Sequence, residues 1–215
     1  MPSGFLRRTI KIFSQKTDDP QGQILASSRL GRWIEFLASE PGVGSIVEIG
    51  TWKGLGSTLL VANAIREFGD STVFYSLEAN KLFHKVAQKN LHREKRVRLI
   101  WGTIVSPGDL DRANLEEHEV PWLLEDEKSL AEAPNVLHLL PKRIDLLILD
   151  GGEFSTWSEF EALEPRLTRY LVLDDTMVRK SRRVEAFVSS SRHWVEISKG
   201  TDRNGWSVWM KSIQE

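Results

Sequence analysis

Acidic residues and glycines stand directly after the short apolar runs of this sequence. In chain order these groups are Glu48 to Gly56, Glu78, Gly102 with Thr103, Asp150 to Glu153, and Asp174 with Asp175. If the apolar runs are parallel strands, their carboxyl ends meet at one edge of the sheet, where open α/β sheets bind their ligands. The sequence therefore predicts a ligand site built from these groups.

The turn after the first apolar run holds two glycines, Gly50 and Gly54. Glycine tolerates positive φ and leaves no Cβ where a ligand approaches the backbone. The spacing G-x-x-x-G differs from the G-x-G-x-x-G of pyrophosphate-binding turns, and Trp52 fills the place of the middle glycine. The turn also lacks the G-x-x-x-x-G-K-[ST] of nucleoside triphosphate hydrolases. Either a ligand without a pyrophosphate or a purely structural turn explains these glycines.

The acid that ends the second apolar run, Glu78, suits a ribose. The two oxygens of a carboxylate accept hydrogen bonds from two neighbouring hydroxyls. A helix-capping acid is the alternative. Taken with the preceding turn, Glu78 indicates a nucleoside ligand that carries no pyrophosphate.

Three further acids, Asp150, Asp174 and Asp175, follow the fourth and fifth runs. Carboxylates that converge at adjacent strand ends suit Mg²⁺ or another divalent cation, which needs only a few of them. In the alternative, Asp150 is a cofactor or loop acid, and Asp174 and Asp175 form a turn and a helix cap. Arg179 and Lys180 follow the pair and indicate either an anionic substrate or a solvated helix start.

Strands alternating with helical periods must position these groups. We expect parallel strands at 45–49, 72–77, 96–101, 144–149 and 170–173, with helices between them, and a terminal hairpin from 194–198 and 206–211. Parallel strands joined by helices form a sheet that is covered on both faces. The predicted fold class is α/β, a three-layer, doubly wound, mostly parallel sheet with a C-terminal antiparallel hairpin.

We assign residues 21–215 to a single domain, which contains one long insertion and follows a basic N-terminal segment. Residues 105–142 form an insertion that is longer than a simple connection, and they indicate either a lid over a substrate pocket or a solvated helix with one buried turn. Residues 1–20 form a basic helix or arm. This helix packs on the domain, touches a membrane surface, or contacts a second subunit in a homodimer.

Composition excludes several functional classes. Lys and Arg total 29 against 30 for Asp and Glu, so no global positive field favours nucleic acid. The absence of cysteine excludes a disulfide framework, a thiolate zinc site, an iron–sulfur cluster and a cysteine nucleophile. No apolar run approaches the roughly 20 residues of a membrane span, and the N-terminus does not resemble a secretory signal. We therefore expect a cytoplasmic protein.

The ordered set of motifs resembles class I S-adenosylmethionine (SAM)-dependent methyltransferases, in the variant of the catechol O-methyltransferase-like and other small-molecule O-methyltransferase families. The matching segments are Gln21 to Leu25, Glu48 to Gly54, Tyr75 to Glu78, Asp145 to Gly151, and Leu171 to Asp175. The resemblance runs from about Gln21 to the C-terminus in the family's order. It implies the Rossmann-like methyltransferase fold, SAM as cofactor, and transfer of a methyl group to a hydroxyl of a small-molecule acceptor.

The resemblance also assigns cofactor contacts to seven residues. These are Glu48 near the amino end of the methionine, Gly50, Thr51 and Gly54 along it, Glu78 at the ribose, and Gly102 and Thr103 near the adenine.

Related metal-dependent O-methyltransferases carry acids where Asp150, Asp174 and Asp175 stand, which implies a metal that holds the acceptor hydroxyl. Catechol-type enzymes have a lysine three residues after the first metal acid, whereas this sequence has Glu153. Asp150 and Glu153 are therefore the catalytic candidates, and Glu153 is a base, a further ligand or an exposed side chain. A non-methylating member of the same fold, either a metal-assisted hydroxylase-like enzyme or an inactive partner protein, is the alternative function.

Overall fold

A computed structural model describes residues 24–68 and 71–212. Its helices are α1 (Arg29–Ala38), α2 (Ser57–Phe68), α3 (Lys81–Asn90), α4 (Val120–Glu132), α5 (Thr156–Leu163) and α6 (Arg179–Ser190). Its strands are β1 (Ser45–Ile49), β2 (Val73–Glu78), β3 (Val97–Trp101), β4 (Ile144–Leu149), β5 (Leu167–Asp174), β6 (Trp194–Gly200) and β7 (Trp206–Lys211). The predicted basic helix or arm, residues 1–20, lies outside the described residues, as do residues 21–23 of the first motif. No helix within the described ranges is long and apolar enough to cross a membrane.

The strands form one sheet in the order β3-β2-β1-β4-β5-β7-β6. Strands β1 to β5 pair in parallel, and β7 pairs antiparallel with both β5 and β6. Helices join the parallel strands because a tight hairpin can join only antiparallel ones. The predicted doubly wound, mostly parallel sheet with a C-terminal antiparallel hairpin is confirmed.

Both faces of the sheet are buried, because successive side chains of a strand point to opposite faces. In β4, Leu146 and Ile148 pack in one core with α1 and α2. Leu147 and Leu149 pack in a second core with α4, α5 and α6. The sheet is therefore the middle of three layers, as the nearly continuous apolar run of β4 predicts.

Strand β5 begins at Leu167, three residues before the predicted start at 170. The hydroxyl of Thr168 donates to the carbonyl of Ile144 at 3.0 Å and to the carboxylate of Asp145 at 2.8 Å. The β4–β5 register shifts between Ile144 and Leu146 at this point. A polar side chain thus extends the strand beyond its apolar run.

The predicted insertion, residues 105–142, is anchored to the sheet. It contains α4 and three short 3₁₀ turns, Pro107–Asp109, Glu117–Glu119 and Leu137–Leu139. Leu123 and Leu130 of α4 are buried in the same core as β4 and β5. Because they are two helical turns apart, they lie on one face of the helix. The action of this segment as a lid stays a prediction.

The strand order reverses at β1, which lies between β2 and β4. Gly50 follows β1, and Asp150 follows β4. A Cβ added at Gly50 would lie 2.0 Å from the carbonyl oxygen of Asp150, and Gly50 has a φ of +97°. The two turns therefore lie against each other, at the point where open sheets bind ligands. Because they approach so closely, only glycine fits at position 50.

Replacing Gly50 tests this contact. We expect Gly50→Ala to lower the free energy of unfolding by about 2–4 kcal/mol, because the methyl group collides with backbone and alanine is strained at positive φ. Gly108 is exposed, and a Cβ there would meet Ser106 Oγ at 3.5 Å. Gly108→Ala is therefore the matched control and should change stability by less than about 0.5 kcal/mol. Urea unfolding measures both variants, and equal stabilities would contradict the close approach.

Candidate functional site

A cavity of about 510 Å³ opens at the carboxyl edge of the sheet, beside the strand-order reversal. The ends of β1, β2, β4 and β5 line it, together with α4. Its volume falls within the roughly 300–1,000 Å³ of small-molecule sites. Seven of the predicted site residues line this cavity: Gly50, Glu78, Gly102, Thr103, Asp150, Asp174 and Asp175.

Two backbone N–H groups hold the carboxylate of Glu78 at the cavity wall. Oε2 accepts from the N–H of Trp52 at 2.7 Å, and Oε1 accepts from the N–H of Asn80 at 2.8 Å. Burial raises the pKa of Glu78 to about 7, although these hydrogen bonds act in the opposite direction. Each carboxylate oxygen keeps a second lone pair for a ligand hydroxyl. The side chain is thus oriented to accept two hydrogen bonds.

Trp52 adopts the left-handed backbone conformation, with a φ of +49°. Its ring packs edge-to-face on Phe83, with centroids 6.2 Å apart. Asp175, Arg203 and Asn204 also have positive φ, and all four residues line the cavity. Strained backbone in residues other than glycine clusters at functional sites.

Glu48 and Thr51 lie beneath the first turn, away from the cavity lining. Oε2 of Glu48 accepts hydrogen bonds from Thr58 Oγ1 at 2.6 Å and from the Ser76 hydroxyl. Ser76 also pairs with the hydroxyl of Thr51. Burial raises the pKa of Glu48 to about 7, and its Oε1 has no hydrogen-bond partner among the described residues. These contacts join β1, β2 and α2, and the cofactor roles of both residues stay predictions.

The other three predicted cofactor contacts also hold neighbouring segments together. A Cβ at Gly54, which does not line the cavity, would lie 2.7 Å from Leu91 Cδ1. A Cβ at Gly102 would lie 2.6 Å from Val136 Cγ1, and the carbonyl of Thr103 accepts the N–H of Val136 at 2.8 Å. Gly102 and Thr103 therefore face the cavity while they bind the segment that follows α4.

The three aspartates lie together, with oxygens of Asp150, Asp174 and Asp175 within 4.8 Å of one another. The ammonium of Lys180 lies between two of them, 2.6 Å from Asp150 Oδ1 and 2.8 Å from Asp175 Oδ2. The guanidinium of Arg203 donates to Asp174 Oδ2 at 2.8 Å. Three carboxylates thus face two cations at the ends of β4 and β5.

The charged groups of this cluster shift one another's pKa values. Burial acts to lower the pKa of Lys180, but Asp150 and Asp175 raise it well above its ordinary value, so the ammonium stays charged. Burial, joined by the charge of Asp150, raises the pKa of Asp174. Oδ1 of Asp174 is buried and has no hydrogen-bond partner in the part of the chain that is described.

Lys180 and Arg179 therefore do not form a solvated helix start. Arg179 binds Glu119 through Nε and Nη2, each at 2.8 Å, and also donates to the carbonyls of Ala113 and Asn114. The hydrogen bonds from Arg179 lower the pKa of Glu119 to about 2. This network ties the beginning of α6 to the insertion.

Glu153 lines a second cavity, which shares Asp175 and Asn204 with the first. Its Oε1 accepts the backbone N–H of Lys180 at 3.3 Å, and burial raises its pKa. Trp122 of the insertion lines the same cavity.

Two further acids that line the main cavity do not follow a strand, so their place in the sequence does not mark them as site residues. Asp126 of α4 accepts the N–H of Phe154 at 3.0 Å, and burial raises its pKa to about 6. Glu159 of α5 is fully buried, which raises its pKa to about 8, and its Oε2 has no partner among the described residues. Both are helix positions where an acid usually indicates a solvated face, so periodicity alone does not single them out.

A match to a known protein family covers most of these motifs. Residues 47–176 match a family described as a methyltransferase domain. The chain belongs to this family. It is thus a class I SAM-dependent methyltransferase, the class that the order of its motifs predicts. No curated protein sequence matches the chain significantly.

Solved structures share the fold. An O-methyltransferase from Bacillus cereus in complex with S-adenosylhomocysteine (SAH) matches 97% of this chain and 88% of its own at 15% identity, with a TM-score of 0.56. An SAH-bound methyltransferase from Podospora anserina matches 99% and 89% at 15% identity, with a TM-score of 0.58. TomG, an O-methyltransferase of tomaymycin synthesis from Streptomyces achromogenes in complex with SAM, matches 96% and 86% at 14% identity, with a TM-score of 0.55.

The buried carboxyl of Glu159 predicts a pH-dependent stability. Between its ordinary pKa of 4.5 and its folded value of about 8, the folded protein holds a proton that the unfolded chain releases. Stability therefore falls as the pH rises through this window. Glu159→Gln should raise the free energy of unfolding by about 1–2 kcal/mol at pH 8, and this gain should shrink towards pH 5.

Thermal and urea unfolding at several pH values measure this effect. Glu161→Gln is the matched control, because Glu161 lies exposed on the same helix. A Glu159→Gln protein that is less stable than the wild type at pH 8 would contradict the prediction.

Proposed function

We propose that the protein transfers a methyl group from SAM to a hydroxyl oxygen of a small molecule. The observation that carries the proposal is the carboxylate of Glu78, held at the cavity wall by the N–H groups of Trp52 and Asn80. Both of its oxygens are available to the two ribose hydroxyls of a nucleoside. Gly50 supports the same assignment, since its bare backbone lines the cavity beside Glu78.

The rest of the cavity suits the remaining parts of SAM. The wall that includes Gly102, Thr103 and Ile104 is partly apolar and receives the adenine in this proposal. The aspartates at the ends of β4 and β5 stand on the other side of Gly50. SAM supplies a methyl group on a cationic sulfur, and the protein's task is to align that group with the acceptor oxygen and exclude water.

We assign the second cavity as the candidate binding site for the methyl acceptor. It meets the first cavity at Asp175 and Asn204, so that a molecule bound there reaches the edge where the methyl group would lie. Glu153 lines this second cavity. Burial raises the pKa of its carboxyl towards the neutral range, in which a general base works best. We therefore assign Glu153 as the group that takes the hydroxyl proton. Asp150 contributes through Lys180, which it binds.

The predicted Mg²⁺ site fits this arrangement only in part. Asp150, Asp174 and Asp175 converge as a divalent cation requires. However, Lys180 already bridges Asp150 and Asp175, and Arg203 binds Asp174. A metal ion would have to displace these cations, so the residues as they stand do not fit it and no step of the proposal uses it.

Cofactor binding tests the proposal by calorimetry with SAH. Wild-type protein should bind SAH, and affinity should rise about tenfold from pH 6 to pH 8, because Glu78 loses its proton near pH 7 and a carboxylate accepts both ribose hydroxyls. Glu78→Gln should bind much more weakly and lose most of this pH dependence, whereas Glu161→Gln should behave as wild type. An absence of SAH binding by the wild type at every pH would refute the proposed function.

Transfer of labelled methyl groups from SAM to a panel of small hydroxyl compounds tests the reaction. Glu153→Gln should lower kcat by about 10²-fold and leave SAH affinity within about twofold, because the amide cannot take the proton. Glu116→Gln is the matched control, since Glu116 lines the same cavity but is exposed. An unchanged kcat in Glu153→Gln would remove Glu153 from the mechanism, and cofactor binding with no acceptor in the panel would favour a non-methylating relative.

A further inference from the structure

The ammonium of Lys180 stands where a bridging metal ion would stand. It contacts Asp150 Oδ1 and Asp175 Oδ2, and both residues belong to the group of three aspartates whose oxygens lie within 4.8 Å of one another. Mg²⁺ binds its oxygen ligands at about 2.1 Å, so an ion between these two oxygens would need the space that Nζ fills. Two cations at such a distance repel each other strongly in a buried site.

We propose that Lys180 replaces the divalent metal in this protein: its ammonium binds the acceptor's hydroxyl oxygen beside the methyl group, and transfer needs no metal ion. The inference rests on the proposed function. It goes beyond that function because it names the group that holds the acceptor oxygen.

The hydrogens of Lys180 support this role. A lysine ammonium has three N–H donors. Asp150 and Asp175 are the partners of Lys180 among the described residues, which leaves one donor. Lys180 lines the main cavity, and its side chain is only 12% exposed. The third hydrogen is therefore available to an oxygen in the main cavity, which Lys180 lines beside Asp175 and Asn204.

The surroundings of Lys180 fix its position. Arg179, the preceding residue, is bound through Nε and Nη2 to Glu119 of the insertion. Asp175 is held in the left-handed conformation at a φ of +57°, and its Oδ1 accepts from Asn204 Nδ2 at 3.2 Å. Lys180 is thus oriented before any ligand arrives, which is the condition for effective electrostatic stabilisation.

The net charge of the cluster also favours Lys180 over a metal ion. Three carboxyl groups face Lys180 and Arg203, and burial raises the pKa of Asp174, so the cluster is neutral or carries one net negative charge. A divalent ion that bound while both cations stayed in place would make the cluster positive at the place where a cationic sulfonium must bind. The existing arrangement instead favours a cationic cofactor.

In the proposed step, a lone pair of the acceptor oxygen forms a bond to the methyl carbon. The carbon–sulfur bond breaks, its electron pair stays on sulfur, and SAM becomes SAH. The hydroxyl proton passes to Glu153, and Lys180 keeps its three protons throughout. Its positive charge stabilises the developing negative charge on the acceptor oxygen.

Binding of Mn²⁺, followed by electron paramagnetic resonance, tests the inference. Wild type should bind Mn²⁺ only with a Kd above about 1 mM. Lys180→Ala should bind it at least about tenfold more tightly, because removing the ammonium opens the acidic cluster. Adding Asp174→Asn to Lys180→Ala should reverse this gain. Lys199→Ala is the control, since Lys199 is exposed and pairs only with Glu196 among the described residues.

Two results would overturn the inference. One is tight, stoichiometric Mn²⁺ binding by the wild type that Asp175→Asn removes. The other is a folded Lys180→Ala protein that binds Mn²⁺ no better than the wild type. Lys180→Gln, which keeps a long polar chain, replaces Lys180→Ala if that variant does not fold, and the wild-type measurement decides by itself if neither folds.

Two parallel measurements separate this inference from the proposed function. Calorimetry with SAH on the same samples reports the proposed function alone, so its failure leaves the Mn²⁺ result interpretable. In the transfer assay, the wild-type rate should persist in excess chelator, and Lys180→Gln should lower kcat at least about tenfold without weakening SAH binding. Loss of the wild-type rate in chelator would also overturn the inference.

Discussion

The close contact between the turns after β1 and β4 is the constraint on which the site depends. Gly50 has no Cβ, and the carbonyl of Asp150 occupies the space that one would need. Because the turns meet there, the end of β2 with Glu78 and the ends of β4 and β5 with their aspartates line one cavity. The proposed nucleoside site and the proposed site of methyl transfer therefore lie on opposite sides of Gly50.

The cavity gathers ionisable groups that cost the fold stability. Burial raises the pKa values of Glu78 and Glu159, which both line the cavity, towards or beyond neutrality. Buried charge destabilises a protein unless it is paired. Lys180 and Arg203 offset part of this cost at the aspartates. Perturbed acids around one cavity are typical of a functional site, which is consistent with methyl transfer there.

Local sequence predicted the fold class well, because apolar runs such as β1 and β4 are read directly and the helices between the runs imply parallel strands. It missed the first residues of β5, where a hydroxyl contact of Thr168 extends the strand. The strand-end rule brought Glu78 and Asp150 to one cavity. Local sequence singled out Lys180 but not its ion pairs with Asp150 and Asp175, which depend on the path of α6. It missed Arg203, which reaches Asp174 only through the pairing of β5 with β7.

A crystal structure of the protein grown with both SAH and Mn²⁺ is the most direct test of the central claim. The account predicts ribose hydroxyls within hydrogen-bond distance of both oxygens of Glu78, and Nζ of Lys180 still between Asp150 and Asp175. A nucleoside bound away from Glu78 would contradict the account of cofactor binding. Manganese density between the aspartates, with Lys180 turned away, would contradict the account of the acceptor site.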